Sequence, residues 1–296
     1  MSYSPSNFYD SIELLSSELY VKALKVIPED VYLSLEAAAR SETNSTAKKI
    51  LNGIVDNISK ATDTHAIVCQ DTGIPVYHVK IGDRMDINLA KLSSAISRGC
   101  ARATKDNNLR PNLVHPFTRK NTGTNTGVGM PAIDIESEED QEFLEITALP
   151  KGSGSENCSV LKMLTPADGL LGVKKFILNS IVEAGGKACP PLIVGIGVGG
   201  NFESVARLAK RAVFRPVGMH NPDPKLRDLE TELLIDMNKL GIGAMGLGGD
   251  CTALAVNIEY SDTHISCLPV AINTQCWRGE RATGRVFTDG RIEYAS

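Results

Sequence analysis

Seven cysteines are spread along this 296-residue chain, and three stand in short polar segments that carry Gly, Pro or Trp: Cys69 in CQDTG, Cys189 in CPP and Cys276 in QCW. They are too far apart in sequence to form a local metal knuckle. Three thiolates meeting at one point can hold three corners of a [4Fe-4S] cluster and leave the fourth iron without a protein thiolate. Such an iron is a Lewis acid able to bind a substrate hydroxyl. Spacing alone does not choose these three over Cys100, Cys158, Cys251 and Cys267. Asp71 stands two residues after Cys69, and His264 twelve before Cys276. A carboxylate and an imidazole in hydrogen-bond contact can move a proton near neutral pH. Taken singly, Asp71 reads as a turn cap and His264 as a structural histidine.

Two Gly-rich polar segments, NTGTNTG (121–127) and KGSGSEN (151–157), leave backbone N–H groups open to an anion. Neither is a Walker loop, since GxxxxGK[ST] is absent. GIGVGGN (195–201) superficially resembles a dinucleotide turn, but its glycine spacing does not give GxGxxG, and tight strand-to-helix packing is the better reading.

The elements that must position these residues follow from periodicity. Three helices are expected over residues 8–60, broken at Pro28-Glu29-Asp30 and Asn44-Ser45-Thr46, as an N-terminal helical layer. Strands are expected over Ala66–Cys69, which puts Cys69 at a strand end, and over Ile74–Ile81, Met130–Glu136, Phe143–Leu149, Leu192–Val198, Leu254–Glu259 and Leu268–Thr274. Helices are expected over Leu89–Lys105, 169–186, Ser204–Ala212 and Lys225–Lys239, and a hairpin over residues 284–296 turning at Asp289-Gly290. The mixed order predicts one α/β domain spanning residues 1–296, with mixed sheets covered by helices.

Composition narrows the class. A hydrophobic content of 42% supports a substantial core, while 5% aromatic residues and a net charge of −4 argue against nucleic acid or anionic membranes as partners. The N-terminus lacks the basic start and apolar run of a signal peptide, and no stretch is long and apolar enough to span a bilayer. An odd number of cysteines without compact disulfide spacing suits a reducing compartment, so a cytoplasmic location is expected.

CQDTGIPVYHVKIG (69–82), NTGTNTGVGMPAIDIE (121–136), LPKGSGSENCS (149–159), CPPLIVGIGVGG (189–200), LGIGAMGLGGDCTALAV (240–256) and THISCLPVAINTQC (263–276) together resemble the alpha subunit of two-subunit class I fumarases and L-tartrate dehydratases. The resemblance runs in order over residues from about 65 to 285. It implies an iron-sulfur hydro-lyase whose [4Fe-4S] cluster is ligated by Cys69, Cys189 and Cys276, with one iron not ligated by cysteine. It implies further that Asp71 and His264 manage the proton, and that Gln70, Asp71, Arg110 and Gly152 contact substrate, with Lys151 as an electrostatic helper. The usual KGGGSEN of the family is KGSGSEN here, with Ser153 replacing a glycine. Arg278, Arg281 and Arg285 would offset cluster charge, meet a partner chain or lie solvated on the surface.

Single-chain members of that family carry a second domain beyond the point matching Ser296, so the resemblance implies a beta subunit and an alpha2-beta2 heterotetramer. Fumarate hydration to malate is the leading expectation, because KGSGSEN and GLGGDCTALAV look closer to the fumarase versions of the motifs. L-tartrate dehydratase and mesaconate hydratase are alternatives within the scaffold. A non-catalytic iron-sulfur scaffold or sensor is an alternative of another class, and the joint presence of Asp71 and His264 argues against it. A NAD-dependent oxidoreductase rests only on GIGVGG.

Overall fold

The computed structural model describes residues 7–295; Met1 to Ser6, and Ser296 at the end of the expected hairpin, lie outside the described residues. In chain order the helices are α1 (Phe8–Lys25), α2 (Glu29–Ser41), α3 (Ser45–Asp63), α4 (Leu89–Asp106), the single turn α5 (Ser153–Glu156), α6 (Gly169–Ala184), α7 (Phe202–Ala212) and α8 (Pro224–Lys239). The strands are β1 (Ile74–Gly82), β2 (Ala132–Glu138), β3 (Phe143–Lys151), β4 (Val160–Leu164), β5 (Leu192–Gly200), β6 (Ala253–Thr263), β7 (Leu268–Gln275), β8 (Ala282–Phe287) and β9 (Ile292–Tyr294). The class is α/β with two mixed sheets and helices at the N-terminus, as the sequence pattern predicts.

The chain forms two compact units. The first comprises Met1–Pro28, Ala61–Lys151 and Glu280–Ser296, so α2 and most of α3 belong to the second. Its five strands run in the order β2-β1-β3-β8-β9, with β1 parallel to β2 and antiparallel to β3. Helix α1 begins at Asn7, whose side chain accepts from the N–H groups of Tyr9 and Asp10 and so satisfies donors that have no partner inside the helix. Its apolar positions Ile12, Leu15, Leu19 and Ala23 recur at helical spacing and are buried with Leu92 and Ile96 of α4 and Tyr77, Val79, Leu144 and Ile146 of the sheet.

The second unit comprises Glu29–Lys60 and Gly152–Gly279. Its sheet has the order β4-β7-β5-β6, with β5 parallel to β6 and antiparallel to β7. Strand β5 shows why GIGVGG is a packing device. Its even positions Leu192, Val194 and Ile196 join a core with Ile177 and Ile181 of α6 and Leu233 and Met237 of α8. Its odd positions face α7, where a Cβ on Gly197 would stand 2.2 Å from the Val205 carbonyl oxygen, so only glycine admits the helix at this distance.

The expected strand over Ala66–Cys69 does not form, and Cys69 is therefore not at a strand end. The N–H of Val68 donates to the carbonyl of Leu24 at the end of α1 (3.1 Å), so this apolar stretch crosses a helix terminus instead of joining a ladder. Two elements were not expected, α5 and β4. Among the described residues no helix is long and apolar enough to cross a membrane.

Replacing Gly197 by Ala should destabilise the protein by about 1–3 kcal/mol through overpacking. Gly53→Ala, in α3 with open space around the new methyl, should instead stabilise by about 0.5–1 kcal/mol. Denaturant midpoints of the two variants check the pair, and equal shifts would contradict the packing role of Gly197.

Candidate functional site

In the first unit, Cys69, Gln70 and Asp71 lie on the loop between α3 and β1, and a polar knot fixes the turn that follows them. Asp71 Oδ1 accepts from the N–H of Gly73 (2.9 Å) and from the side-chain amide of Asn112 (3.2 Å). Thr72, fully buried, donates its hydroxyl to the carbonyl of Arg110 (2.6 Å) and accepts from Asn112 Nδ2 (2.8 Å). The carbonyl of Thr72 accepts from the Tyr20 hydroxyl (2.7 Å). Gly73 has φ +72°, and a Cβ there would meet the Pro150 carbonyl carbon at 2.5 Å, so the turn needs glycine both for its conformation and for its closeness to β3.

Arg110 is brought to this turn through its backbone while its side chain stays exposed. A second carboxamide, Asn125 of NTGTNTG, holds it there. Asn125 is fully buried at φ +53°, its Oδ1 accepts from the N–H of Asn112 (2.6 Å), and its Nδ2 donates to the Arg110 carbonyl (3.0 Å). Part of NTGTNTG thus acts as a brace for the arginine segment. Asn112 and Asn125 escaped the sequence reading, although an Asn placed among glycines and threonines at a left-handed position is a readable turn signal.

In the second unit, Cys189 and Cys276 stand at one end of the sheet. Cys189 terminates a 3-10 turn (Gly185–Ala188) three residues before β5, and Cys276 directly follows β7, whose last residue Gln275 pairs with Ile193. The N–H of Trp277 donates to the Cys189 carbonyl (3.2 Å), which ties the two cysteine segments together. Cys189 itself is left-handed, with φ 55° and ψ 65°, a conformation that costs a non-glycine residue roughly 1–2 kcal/mol. Backbone strain of this kind concentrates at functional sites.

The loop before β6 buttresses the same end. The N–H of Met245 donates to the Pro190 carbonyl (2.8 Å), and the N–H of Leu192 to the Thr252 carbonyl (2.9 Å). The buried carboxylate of Glu42, just after α2, accepts from the N–H groups of Asp250 (2.9 Å), Cys251 (3.3 Å) and Asn44 (2.9 Å). Gly152 caps α5, and Thr274 of β7 donates its hydroxyl to the Ser155 carbonyl of that turn (2.9 Å), placing the KGSGSEN segment beside the end of β7. Ser153 is the first residue of α5. Lys151, the last residue of the Ala61–Lys151 segment of the first unit, is fully buried.

His264 lies in the turn between β6 and β7, at the opposite end of this sheet. Eight residues of β7 separate it from Cys276, roughly 25 Å at strand rise. The N–H of Ser266 donates to His264 Nδ1 (3.2 Å), so the neutral ring carries its proton on Nε2. Of the three arginines after Cys276, Arg278 is buried, and Arg285 pairs with Glu145 (2.8 Å) while stacking over the Phe143 ring.

Donor chemistry sets two of the seven cysteines apart. Burial pushes the Cys100 thiol up to about 12, and burial together with the charges of Glu42 and Asp250 pushes Cys251 up to about 12. Neither is suited to serve as a thiolate. Among the described residues no three His, Cys, Asp or Glu side chains converge on a point that could hold a single metal ion. A cluster asks for less convergence, because each thiolate takes a different iron. Beside Cys276 the structure has an unfilled demand: Gln275 is fully buried and neither Nε2 nor Oε1 has a hydrogen-bond partner, a condition that costs about 1–3 kcal/mol unless a bound group meets it. The thiols of Cys189 and Cys276 and this amide fit a thiolate-held iron-sulfur group.

The family model described as Fumarate hydratase (Fumerase) matches residues 14–285. A relative from Methanocaldococcus jannaschii, provisionally named L(+)-tartrate dehydratase subunit alpha, is 46% identical over 278 residues, 93% of this chain and 97% of its own. The L(+)-tartrate dehydratase subunit alpha of Escherichia coli strain K12 is 37% identical over 270 residues, 91% of this chain and 89% of its own.

The thiol assignments give a chemical test. At pH 8 a thiol with a pKa of about 12 is ionised to only about one part in 10⁴, so Cys100 and Cys251 should stay unalkylated by iodoacetamide in the native protein and react once it is unfolded. Peptide mass spectrometry reads the result. Rapid native alkylation at either position would remove the grounds for excluding it as a ligand.

Proposed function

We propose, because the chain belongs to the fumarate hydratase family, that it is the cluster-bearing alpha subunit of a hydratase that interconverts fumarate and malate. Family membership makes it a hydro-lyase. In this reading Cys69, Cys189 and Cys276 hold a [4Fe-4S] cluster. The cluster would supply one iron without a cysteine ligand, a Lewis acid for the hydroxyl and adjoining carboxylate of a 2-hydroxy dicarboxylate. The observation that carries the reading is the polar knot of the first unit, which presents Cys69, Gln70 and Asp71 on one braced turn and fastens the Arg110 backbone to it.

The chain's own groups divide the remaining work. Arg110 binds a substrate carboxylate through its planar guanidinium, and Gln70 donates its amide to the same class of oxygen. Gly152 lets substrate approach the backbone closely. Asp71, with Oδ1 held by Gly73 and Asn112, moves the proton at Oδ2, and His264 takes part through Nε2. Because His264 and the two cysteines of its unit stand at opposite ends of one sheet, a site containing Cys276 would draw its histidine from a second copy of the chain. That requirement agrees with an alpha2-beta2 assembly, and the subunit names of the relatives support a beta partner.

L-tartrate dehydration is the second reading, favoured by the names of those same relatives. The deciding measurement is kcat/KM for malate, fumarate, tartrate and mesaconate, using the chain reconstituted anaerobically with iron and sulfide and joined to a beta-type subunit. Fumarate and malate should lead, with activity lost in air and regained with ferrous iron and reductant; a clear lead for tartrate would transfer the assignment to the second reading.

Asp71→Asn should lower kcat by roughly 10²–10⁴-fold, the usual contribution of a general acid–base group, while leaving the cluster absorbance intact. Near-normal kcat in that variant would exclude Asp71 from proton transfer.

A further inference from the structure

We infer that Gln275 is a positioning residue for the iron-sulfur group, donating its side-chain amide to a sulfur of the group carried by Cys276 and thereby raising its reduction potential. The inference rests on the proposed ligand role of Cys276. Gln275 ends β7, is 0% exposed, and has no partner at either Nε2 or Oε1. Its surroundings in the ladder offer none. Directly opposite on β5 is Ile193, an apolar side chain that is itself buried.

The adjoining residues of the strand behave differently. Thr274, on the other face, donates its hydroxyl to Ser155 (2.9 Å). Asn273, two residues earlier on the same face as Gln275, donates its amide nitrogen to Glu156 (3.0 Å) and Ser159 (2.7 Å), and only its Oδ1 lacks a partner. The polypeptide therefore meets every side-chain donor of this strand end except the Gln275 amide. A buried donor left without a partner is a standing cost unless something other than the chain accepts from it. The next residue is a thiol proposed to carry sulfur-rich, anionic cargo. Amide donors to cluster sulfurs stabilise the electron-rich reduced form, so their removal lowers the potential.

The test uses the full chain with Gln275→Met, which keeps the length and removes both polar atoms, and Gln275→Asn, which keeps the amide but draws it back by one methylene. Without iron, Gln275→Met should be at least as stable to denaturant as the parent chain, because it deletes an unmet polar group. After anaerobic loading with ferrous iron and sulfide, both variants should titrate at a lower midpoint potential than the parent in an EPR-monitored redox titration. Retention against an iron chelator should fall about 10–100-fold.

A loss of stability in iron-free Gln275→Met would mean that the amide is bonded within the polypeptide, and would overturn the inference. Fully loaded variants with unchanged potential and unchanged retention would overturn it equally, while leaving the cluster reading intact. Failure of the parent chain to take up iron and sulfide at all would instead remove the cluster reading, and this inference with it.

Discussion

A single backbone hydrogen bond, from the Trp277 N–H to the Cys189 carbonyl, joins two thiol-bearing segments that are 87 residues apart in the numbering of the chain. What makes it possible is the register of the β5/β7 pair, which brings Gln275 opposite Ile193 and so sets the end of one strand beside the beginning of the other. A slip of one residue would turn every side chain of β7 to the other face of the sheet and part the two segments. The apolar packing of α6 and α8 on one face and the closeness of α7 on the other hold that register.

Different physics governs the candidate residues of the first unit. No strand pairing fixes Cys69 and Asp71. Their turn is held by carboxamides and hydroxyls whose bonds run inward to backbone groups, with Asn125 and Thr72 wholly buried. Buried networks of this kind are rigid when fully satisfied and costly when any member is removed. A loop can therefore carry reactive groups with the precision that β5 and β7 lend to the other unit.

Much of this architecture was readable from periodicity, and the exceptions have physical causes. Strands β5 and β7 stood out as continuous apolar runs, and α4 by its amphipathic spacing. The apolar run Ala66–Cys69 misled because hydrophobicity alone does not say whether a backbone N–H meets a strand or a helix end, and Val68 meets Leu24. Turn α5 is built of Ser, Gly and Glu, too short and too poor in helix formers to announce itself. Strand β4 is five residues interrupted by Lys162. Asp71, Gln70 and the three cysteines were singled out by motif resemblance alone. Glu42, Asn112, Asn125 and Gln275 were not, since a polar residue bracing a distant loop looks in sequence like any surface residue. The distance of His264 from the cysteines of its unit could be read only from strand direction.

The left-handed backbone at Cys189 sets chemistry against durability. Glycine would occupy that conformation without penalty, so the turn would be more stable without its thiol. Laboratory evolution that rewards heat resistance alone should therefore drift toward glycine at this position and yield a hardier protein without the Cys189 thiol. Under the proposed ligand role of Cys189, selection for thermal robustness in this scaffold has to be coupled to a direct assay for bound iron at every round.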